Sequence, residues 1–265
     1  MSYKLSLLGT GSSGGVPRIG NDWGACDPRN PKNRRRRCSA LIERIEGRGT
    51  TQVLIDTSPD LRDQLLDAGV STLDGVLFTH DHADHTHGID ELRIVAFNMR
   101  RRIDVYADAV TSATLRKRFD YCFQAPPGSS YPPVLTEYAI APPNPVQIHG
   151  AGGCVEARPI VQEHGNISSL GFRVRDVAYS PDISGLSEEG VAALAGLDLW
   201  IVDALRYIPH PSHFSVKEAL DWIERIKPKR AILTHLHVDL DYETLRRELP
   251  EHVVPAYDGL AVFFD

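Results

Sequence analysis

The chain has 265 residues, enough to bury a large core, and its 42% hydrophobic and 24% charged content is that of an ordinary globular protein. A formal net charge of −6 argues against a protein built to coat nucleic acid, and no apolar stretch approaches the roughly 20 residues of a membrane span. Cys26, Cys38, Cys122 and Cys154 lack the spacing of a disulfide framework, and Met1-Ser2-Tyr3-Lys4 leads into a strand-like run too short for a signal peptide, so a cytoplasmic setting is expected.

Apolar runs alternate with helix-like stretches throughout, which is an α/β pattern. The first predicted strand, 4–8, opens into Leu8-Gly9-Thr10-Gly11-Ser12-Ser13-Gly14-Gly15-Val16-Pro17. Glycines there let backbone amides approach an anion, and the hydroxyls add donors, although any tight turn also needs glycine. The run Arg34-Arg35-Arg36-Arg37 reads as a solvated face beside a strand start or, alternatively, as a phosphate-attracting rim near the active site. Strands follow at 40–45 and 52–55, joined by the hairpin turn Glu46-Gly47-Arg48-Gly49. Ser58-Pro59 then starts a helix over 59–68, with a capping hydroxyl before the proline.

Residues 75–78 read as a buried strand, and the chain leaves it through Thr79-His80-Asp81-His82-Ala83-Asp84-His85-Thr86-His87-Gly88. Packing gives no reason for six imidazoles and carboxylates within residues 80–87. Both are ligands for borderline and hard divalent metals, and a run this dense can fill two coordination spheres. The segment predicts a metal site.

Beyond it come helices over 89–98 and 109–119, a strand at 103–106, and a second basic run, Arg100-Arg101-Arg102, read like the first. Residues 124–145 hold seven prolines and read as a surface loop or flap. Later strands are predicted at 155–161, 170–174, 177–179, 199–202, 231–233 and 261–264, and helices at 187–194, 216–226 and 242–249. Three of these strands are followed by ligand types: His164, Asp182 and His235. Each alone has an ordinary reading, as turn residue, helix cap or core imidazole. Ligands at strand ends are nevertheless how a sheet builds a rigid site. Ser212-His213-Phe214-Ser215 precedes the helix at 216–226, after Arg206, Tyr207 and His210. His149 and His252 have no motif around them and read as structural or exposed.

The arrangement His80-x-His82-x-Asp84-His85, with Gly88 after it, resembles the signature of the metallo-β-lactamase superfamily of binuclear hydrolases, and the resemblance extends from Leu8 to His235. It implies one domain over residues 1–265, an α/β four-layer αββα sandwich with metals at one edge between the sheets. It further implies that His80, His82 and His164 hold one divalent ion, that Asp84, His85 and His235 hold the other, and that Asp182 bridges them. Two ions per chain are then expected, and Zn²⁺ and Mn²⁺ both suit mixed His/Asp donors. Such a pair turns a bridging water into hydroxide at neutral pH and clamps phosphoryl oxygens. Asp56 matches an aspartate that orients the metal loop, and Asp203 is read the same way.

The Gly-Thr…Pro opening and His213 resemble the phosphodiesterase branch, which includes tRNA 3′-end processing endonucleases and the cyclic phosphate phosphodiesterases of bacterial phosphonate catabolism. The stretch from His82 to Arg93 is more similar to the latter, and no long glycine-rich arm for gripping tRNA is visible. In that branch the histidine donates to a phosphate oxygen or the leaving group, a role suited to an imidazole titrating near neutrality. His213 and Asp84 are therefore the expected catalytic residues, and Thr10, Gly11, Ser12, Ser13, Arg206 and Tyr207 join His213 as expected substrate contacts. The phosphonate enzymes also carry a cysteine cluster that holds a structural zinc with a late histidine. Only Cys26 remains of it here, with His237 to assist, so neither a third metal nor that pathway is expected.

The expected function is a binuclear metal phosphodiesterase for a small cyclic phosphate or nucleotide-like ester. A tRNA 3′ endonuclease, or a non-catalytic carrier on the same fold, is the alternative. No membrane or stable nucleic-acid partner is expected, and the sequence leaves room for a homodimer. Thioester or lactam hydrolysis would leave the Gly-Thr loop and His213 without a role.

Overall fold

Apolar strands cannot leave their amide and carbonyl groups unpaired, and here they pair into two mixed seven-stranded sheets. The structure is a computed structural model that describes residues Met1–Asp265. In chain order the strands are β1 (Ser2–Gly9), β2 (Ser39–Glu46), β3 (Gly49–Ile55), β4 (Gly75–Leu77), β5 (Ile103–Ala107), β6 (Leu135–Ala139) and β7 (Val146–Gly150). They continue as β8 (Gly153–His164), β9 (Ile167–Val174), β10 (Val177–Ser180), β11 (Leu199–Asp203), β12 (Arg230–Thr234), β13 (Val253–Pro255) and β14 (Ala261–Phe264). The sheet orders are β14-β1-β2-β3-β4-β5-β6 and β13-β12-β11-β10-β9-β8-β7. The helices are α1 (Leu61–Ala68), α2 (Ala83–Thr86), α3 (Leu92–Met99), α4 (Ala109–Phe123), α5 (Glu188–Ala193), α6 (Val216–Ile226) and α7 (Tyr242–Glu248). No helix is long and apolar enough to cross a membrane.

The chain divides into two compact units, one of Met1–Ser6, Ser39–Glu156 and Ala261–Asp265, the other of Leu7–Cys38 and Ala157–Leu260. In the first, β2 and β3 form the antiparallel hairpin expected from Glu46-Gly47-Arg48-Gly49, and β3, β4, β5 and β6 run parallel. Parallel strands covered on both faces read as continuous apolar runs, and Val76, Leu77 and Phe78 are wholly buried. In the second unit, β8, β9 and β10 form an antiparallel meander, and β10 to β13 are parallel. Helix α6 buries Val216, Ala219, Ile223 and Ile226 along one face. Ser215 and Glu218 close a reciprocal capping box at its start, which fixes where the helix begins.

The strands β6, β7 and β13 lie where the sequence reading placed none, and two helical segments differ from it. The proline-rich span 124–145 contains β6, which pairs in parallel with β5 from Ile103↔Leu135 to Ala107↔Ala139. Prolines crowd both sides of it and mask a five-residue strand. Helix α4 continues to Phe123 through a break at Phe119 (φ −135°, ψ 39°). Residues Ile89–Glu91 form a 3₁₀ turn ahead of α3.

The basic run at 34–37 is not the solvated face expected of it. Arg34 is exposed, Arg35 only 1% exposed, and Arg36 and Arg37 half-buried. The Arg35 guanidinium donates to the carbonyls of Leu240 (2.7 Å) and His237 (3.2 Å), to Asn33 Oδ1 (3.3 Å) and to Cys26 Sγ (3.7 Å). Burial pushes the Cys26 thiol up, and it donates to the carbonyls of Val238 (3.3 Å) and Leu240 (3.4 Å). This guanidinium knits residues 26–35 to 237–240. Arg35→Met strips those carbonyls of their charged donor, at about 1–3 kcal/mol each. The urea midpoint should fall with the slope unchanged; an unchanged midpoint would show that water satisfies them equally well.

Candidate metal centre

In the first unit, β4 ends one residue before Phe78, and the metal loop begins at Thr79. Asp56, which follows β3, is wholly buried and holds a left-handed backbone (φ +62°) that turns its carboxylate toward that loop. The carboxylate accepts from the Thr79 amide (2.8 Å), from Thr79 Oγ1 (2.8 Å) and from His85 Nδ1 (2.7 Å). Burial pushes the Asp56 carboxyl up, opposed by the His85 ring and the Thr79 donors. Thr79 Oγ1 gives its one proton to Asp56, so it can only accept from His80 Nδ1 at 3.0 Å. Both rings therefore carry their proton on Nδ1 and offer Nε2 as a lone-pair donor. The ring centroid of His80 lies 4.4 Å from that of His85 and 4.5 Å from that of His82. Asp84 Oδ2 lies 3.5 Å from His85 Nε2. Gly88 closes the loop because a Cβ there would lie 2.0 Å from the Ser58 carbonyl oxygen.

The second unit builds its cluster from strand ends. His164 is the last residue of β8, and its Nδ1 donates to the Ser212 carbonyl at 2.6 Å. Asp182, Asp203 and His235 stand at or just beyond the carboxyl ends of β10, β11 and β12, three adjacent parallel strands. Asp182 Oδ2 faces His164 Nε2 at 3.6 Å, while Oδ1 faces His235 Nε2 at 3.5 Å. Two donors about 2.1 Å from one tetrahedral ion lie about 3.4 Å apart, so each spacing fits an ion shared by carboxylate and imidazole. His235 takes φ +58°, an uncommon backbone for a residue with a Cβ.

Asp182, His213 and His235 have donor atoms within 4.8 Å of one another. His213 Nδ1, however, is only 2.7 Å from Asp203 Oδ2 and 3.9 Å from Asp182 Oδ2. An Nδ1 engaged with Asp203 is not a metal ligand, which leaves Nε2 to address whatever is bound. The His213 ring stacks on His235 (4.7 Å, 13°) and meets His164 edge-on (4.7 Å, 71°). Burial, reinforced by the His213 charge, draws the His210 pKa down; its Nδ1 lies 3.1 Å from Ser212 Oγ.

The loop expected to bind phosphate is largely engaged elsewhere. The amide and hydroxyl of Thr10 both donate to Asp258 Oδ1, at 3.0 and 2.8 Å, and Thr10 is wholly buried. Asp258 Oδ2 takes the Arg36 amide (2.8 Å) and Nε (3.2 Å). Gly11 is needed because a Cβ would lie 2.9 Å from Arg35 Cβ. Ser12 is buried, its amide on the Leu236 carbonyl at 3.3 Å, while Ser13 is exposed. Thr10, Gly11 and Ser12 thus brace the segment after His235, and Ser13 alone of the four faces solvent. Arg206 donates to the carbonyls of Ile208 (3.0 Å) and Pro209 (3.2 Å), and the Tyr207 hydroxyl to Glu248 (2.6 Å). These two shape the segment before His213 instead of standing free for substrate. Asp258, the Thr79 hydroxyl and the Ser212 carbonyl were missed by sequence reading; Thr79 and Ser212 stand beside the candidate ligands in sequence, but only the fold shows which groups they hold.

The Beta-lactamase superfamily domain matches residues 51–236. A protein of Porphyromonas gingivalis (strain ATCC BAA-308 / W83) named Octanoyltransferase is 35% identical over 267 residues, which cover 99% of this chain and 52% of that protein. The chain thus spans about half the length of that relative. A crystal structure of a diphosphatase from the PhnP family is 33% identical, covers 100% of this chain and 98% of its own, and superposes with a TM-score of 0.88. Human tRNase Z, short form, shares the fold at 17% identity, with 98% of both chains covered and a TM-score of 0.64. With two mixed sheets flanked by helices and a His/Asp cluster in each unit, the chain belongs to the β-lactamase superfamily, has its αββα fold, and is similar to members of its phosphodiesterase branch.

Proposed function

We propose that the chain hydrolyses a small phosphodiester, a cyclic phosphate or nucleotide-like ester, at a centre of two divalent ions, Zn²⁺ or Mn²⁺. The observation that carries this reading is Asp182, whose two oxygens face two different imidazoles at 3.6 and 3.5 Å. A carboxylate so placed suits a bridge between cations. His80, His82 and His164 would hold one ion, and Asp84, His85 and His235 the other. When bound, such ions supply a water acidic enough to attack near neutral pH and a positive clamp for the phosphoryl oxygens.

The chain's own residues supply the rest. Asp203 fixes the His213 ring through Nδ1, so a proton on Nε2 is aimed outward. That proton passes to the leaving oxygen as its bond to phosphorus breaks. The PhnP-family relative is a diphosphatase, which favours phosphorus over carbonyl as the centre attacked. The P. gingivalis relative motivates a second reading, cleavage of an acyl ester or thioester, since its name concerns octanoyl transfer. A panel of cyclic nucleotide, bis(p-nitrophenyl) phosphate, pre-tRNA and an octanoyl thioester separates these readings. A cytoplasmic setting, a small-molecule substrate without a stable nucleic-acid partner, and a homodimer belong to the same proposal.

Purified without chelator and supplied with Zn²⁺ or Mn²⁺, the protein should carry two ions per chain by elemental analysis. Finding none after supplementation would remove the centre. Asp182→Ala should lose metal and activity together, by more than the roughly ten- to hundredfold typical of an outer-shell change. Full activity at limiting metal would show that Asp182 does not bridge.

His213→Ala should keep both ions and lose about 10²–10⁴-fold in kcat on a cyclic nucleotide. The loss should be smaller on bis(p-nitrophenyl) phosphate, whose leaving group needs no proton. Equal losses on the two would reduce His213 to a phosphate contact, and loss of metal would make it a ligand.

A further inference from the structure

The segment His210-Pro211-Ser212-His213 carries two imidazoles whose ring centroids lie 5.2 Å apart at a tilt of 47°. His213, the proposed acid, has the Asp203 carboxylate on its Nδ1 and can hold protons on both nitrogens. His210 is held with the opposite polarity. The Ser212 amide donates to His210 Nδ1 at 3.3 Å, and Ser212 Oγ lies 3.1 Å from the same nitrogen. A backbone amide can only donate, so Nδ1 keeps its lone pair and the one ring proton sits on Nε2. His80, His85 and His164 carry theirs on Nδ1 and present a lone pair, as a metal ligand must. His210 instead presents an N–H, and no protein group accepts from it.

That polarity is locked. A second proton would have to enter at Nδ1, against the hydrogen of the Ser212 amide. Burial, and then His213, Arg206, His235 and His237, all draw the His210 pKa down as well. Pro209 and Pro211 restrict the backbone on either side, and Arg206 donates to the carbonyls of Ile208 (3.0 Å) and Pro209 (3.2 Å). Ser212 is held in turn, its carbonyl taking His164 Nδ1 at 2.6 Å. Gly165 leaves room for it, since a Cβ there would lie 2.9 Å from Ser212 Cβ. The half-buried His210 ring is thus a fixed, neutral donor beside the proposed acid. A donor held still in this way suits an oxygen on which negative charge builds.

We propose that His210 touches the substrate, its Nε2–H donating to a phosphoryl oxygen while His213 gives its proton to the leaving oxygen. This rests on the phosphodiester reading above, and it divides two neighbouring imidazoles into a donor that keeps its proton and an acid that surrenders it.

The test replaces the ring with each of the two amide side chains in metal-loaded protein. In His210→Gln the amide reaches the place of Nε2 and can donate there. In His210→Asn it takes the place of Nδ1 and can still accept from Ser212. Calorimetric titration with inorganic phosphate and kcat/KM for bis(p-nitrophenyl) phosphate are measured together with metal content and Tm. His210→Asn should keep both ions and its Tm, yet lose about tenfold or more in phosphate affinity and in kcat/KM, as for a hydrogen bond to a charged group. His210→Gln should recover most of both. The reverse order, equal losses in the two variants, or loss of metal from His210→Asn would show that His210 acts only through Ser212 and overturn the assignment. No loss in either variant, or no phosphate binding by wild type, would overturn it too. If wild type binds phosphate but cleaves no phosphodiester, the functional reading falls, while the phosphate affinities of the two variants still decide the role of His210.

Discussion

The carboxylate of Asp56 accepts from the Thr79 amide, the Thr79 hydroxyl and His85 Nδ1, with no exposure to water. Those three bonds decide more than the position of one loop. Because the hydroxyl proton is committed to Asp56, Thr79 can only accept from His80, and because His85 donates through Nδ1, its other nitrogen remains basic. In the second unit the Ser212 carbonyl does the same for His164, and Asp203 for His213. One nitrogen of each ring belongs to the protein and the other to the bound species. Orientation and protonation are thus set together, before any ion arrives.

Backbone strain appears where this arrangement needs it. Asp56 and His235 both take left-handed angles, at +62° and +58°, and each directly follows a strand, β3 or β12. A left-handed residue with a Cβ costs roughly 1–2 kcal/mol. A residue continuing the strand would send its side chain above or below the sheet; the left-handed turn redirects it at the strand's end. At Asp56 the three hydrogen bonds repay that cost. At His235 the neighbouring segment is tied down by the bonds of Thr10 and Leu236 and by the Arg35 guanidinium on His237 and Leu240.

This division explains what could be read from the chain. The His/Asp loop after β4 stood out in the chain because its imidazoles and carboxylates are nearly consecutive and their chemistry argues against a packing role. His164, Asp182 and His235 were legible because each ends a strand-like run, although β8 reaches His164 itself and is longer than the sequence suggested. Residues acting through distant backbone were not legible. Thr10 looked like a phosphate donor, since nothing local reveals Asp258, 248 positions away. Arg35 looked solvated, because four consecutive arginines give no sign of which one is buried. The strand β6 was concealed by prolines that lie outside it.

Asp203 joins the two halves of the chemistry in the second unit. One oxygen holds His213 Nδ1 at 2.7 Å and also receives the Ile183 amide at 3.2 Å; the other lies 3.7 Å from His235 Nδ1. Ile183 follows Asp182 directly, so this carboxylate braces the proposed bridge, the proposed acid and a proposed ligand at once. Residues that share a partner in this way do not act additively. The consequence is that the proposed proton donor would not be tuned without disturbing the proposed metal ligands. A new leaving-group preference would therefore arise with less disturbance through groups outside this network, such as the exposed Ser13, than through His213 itself.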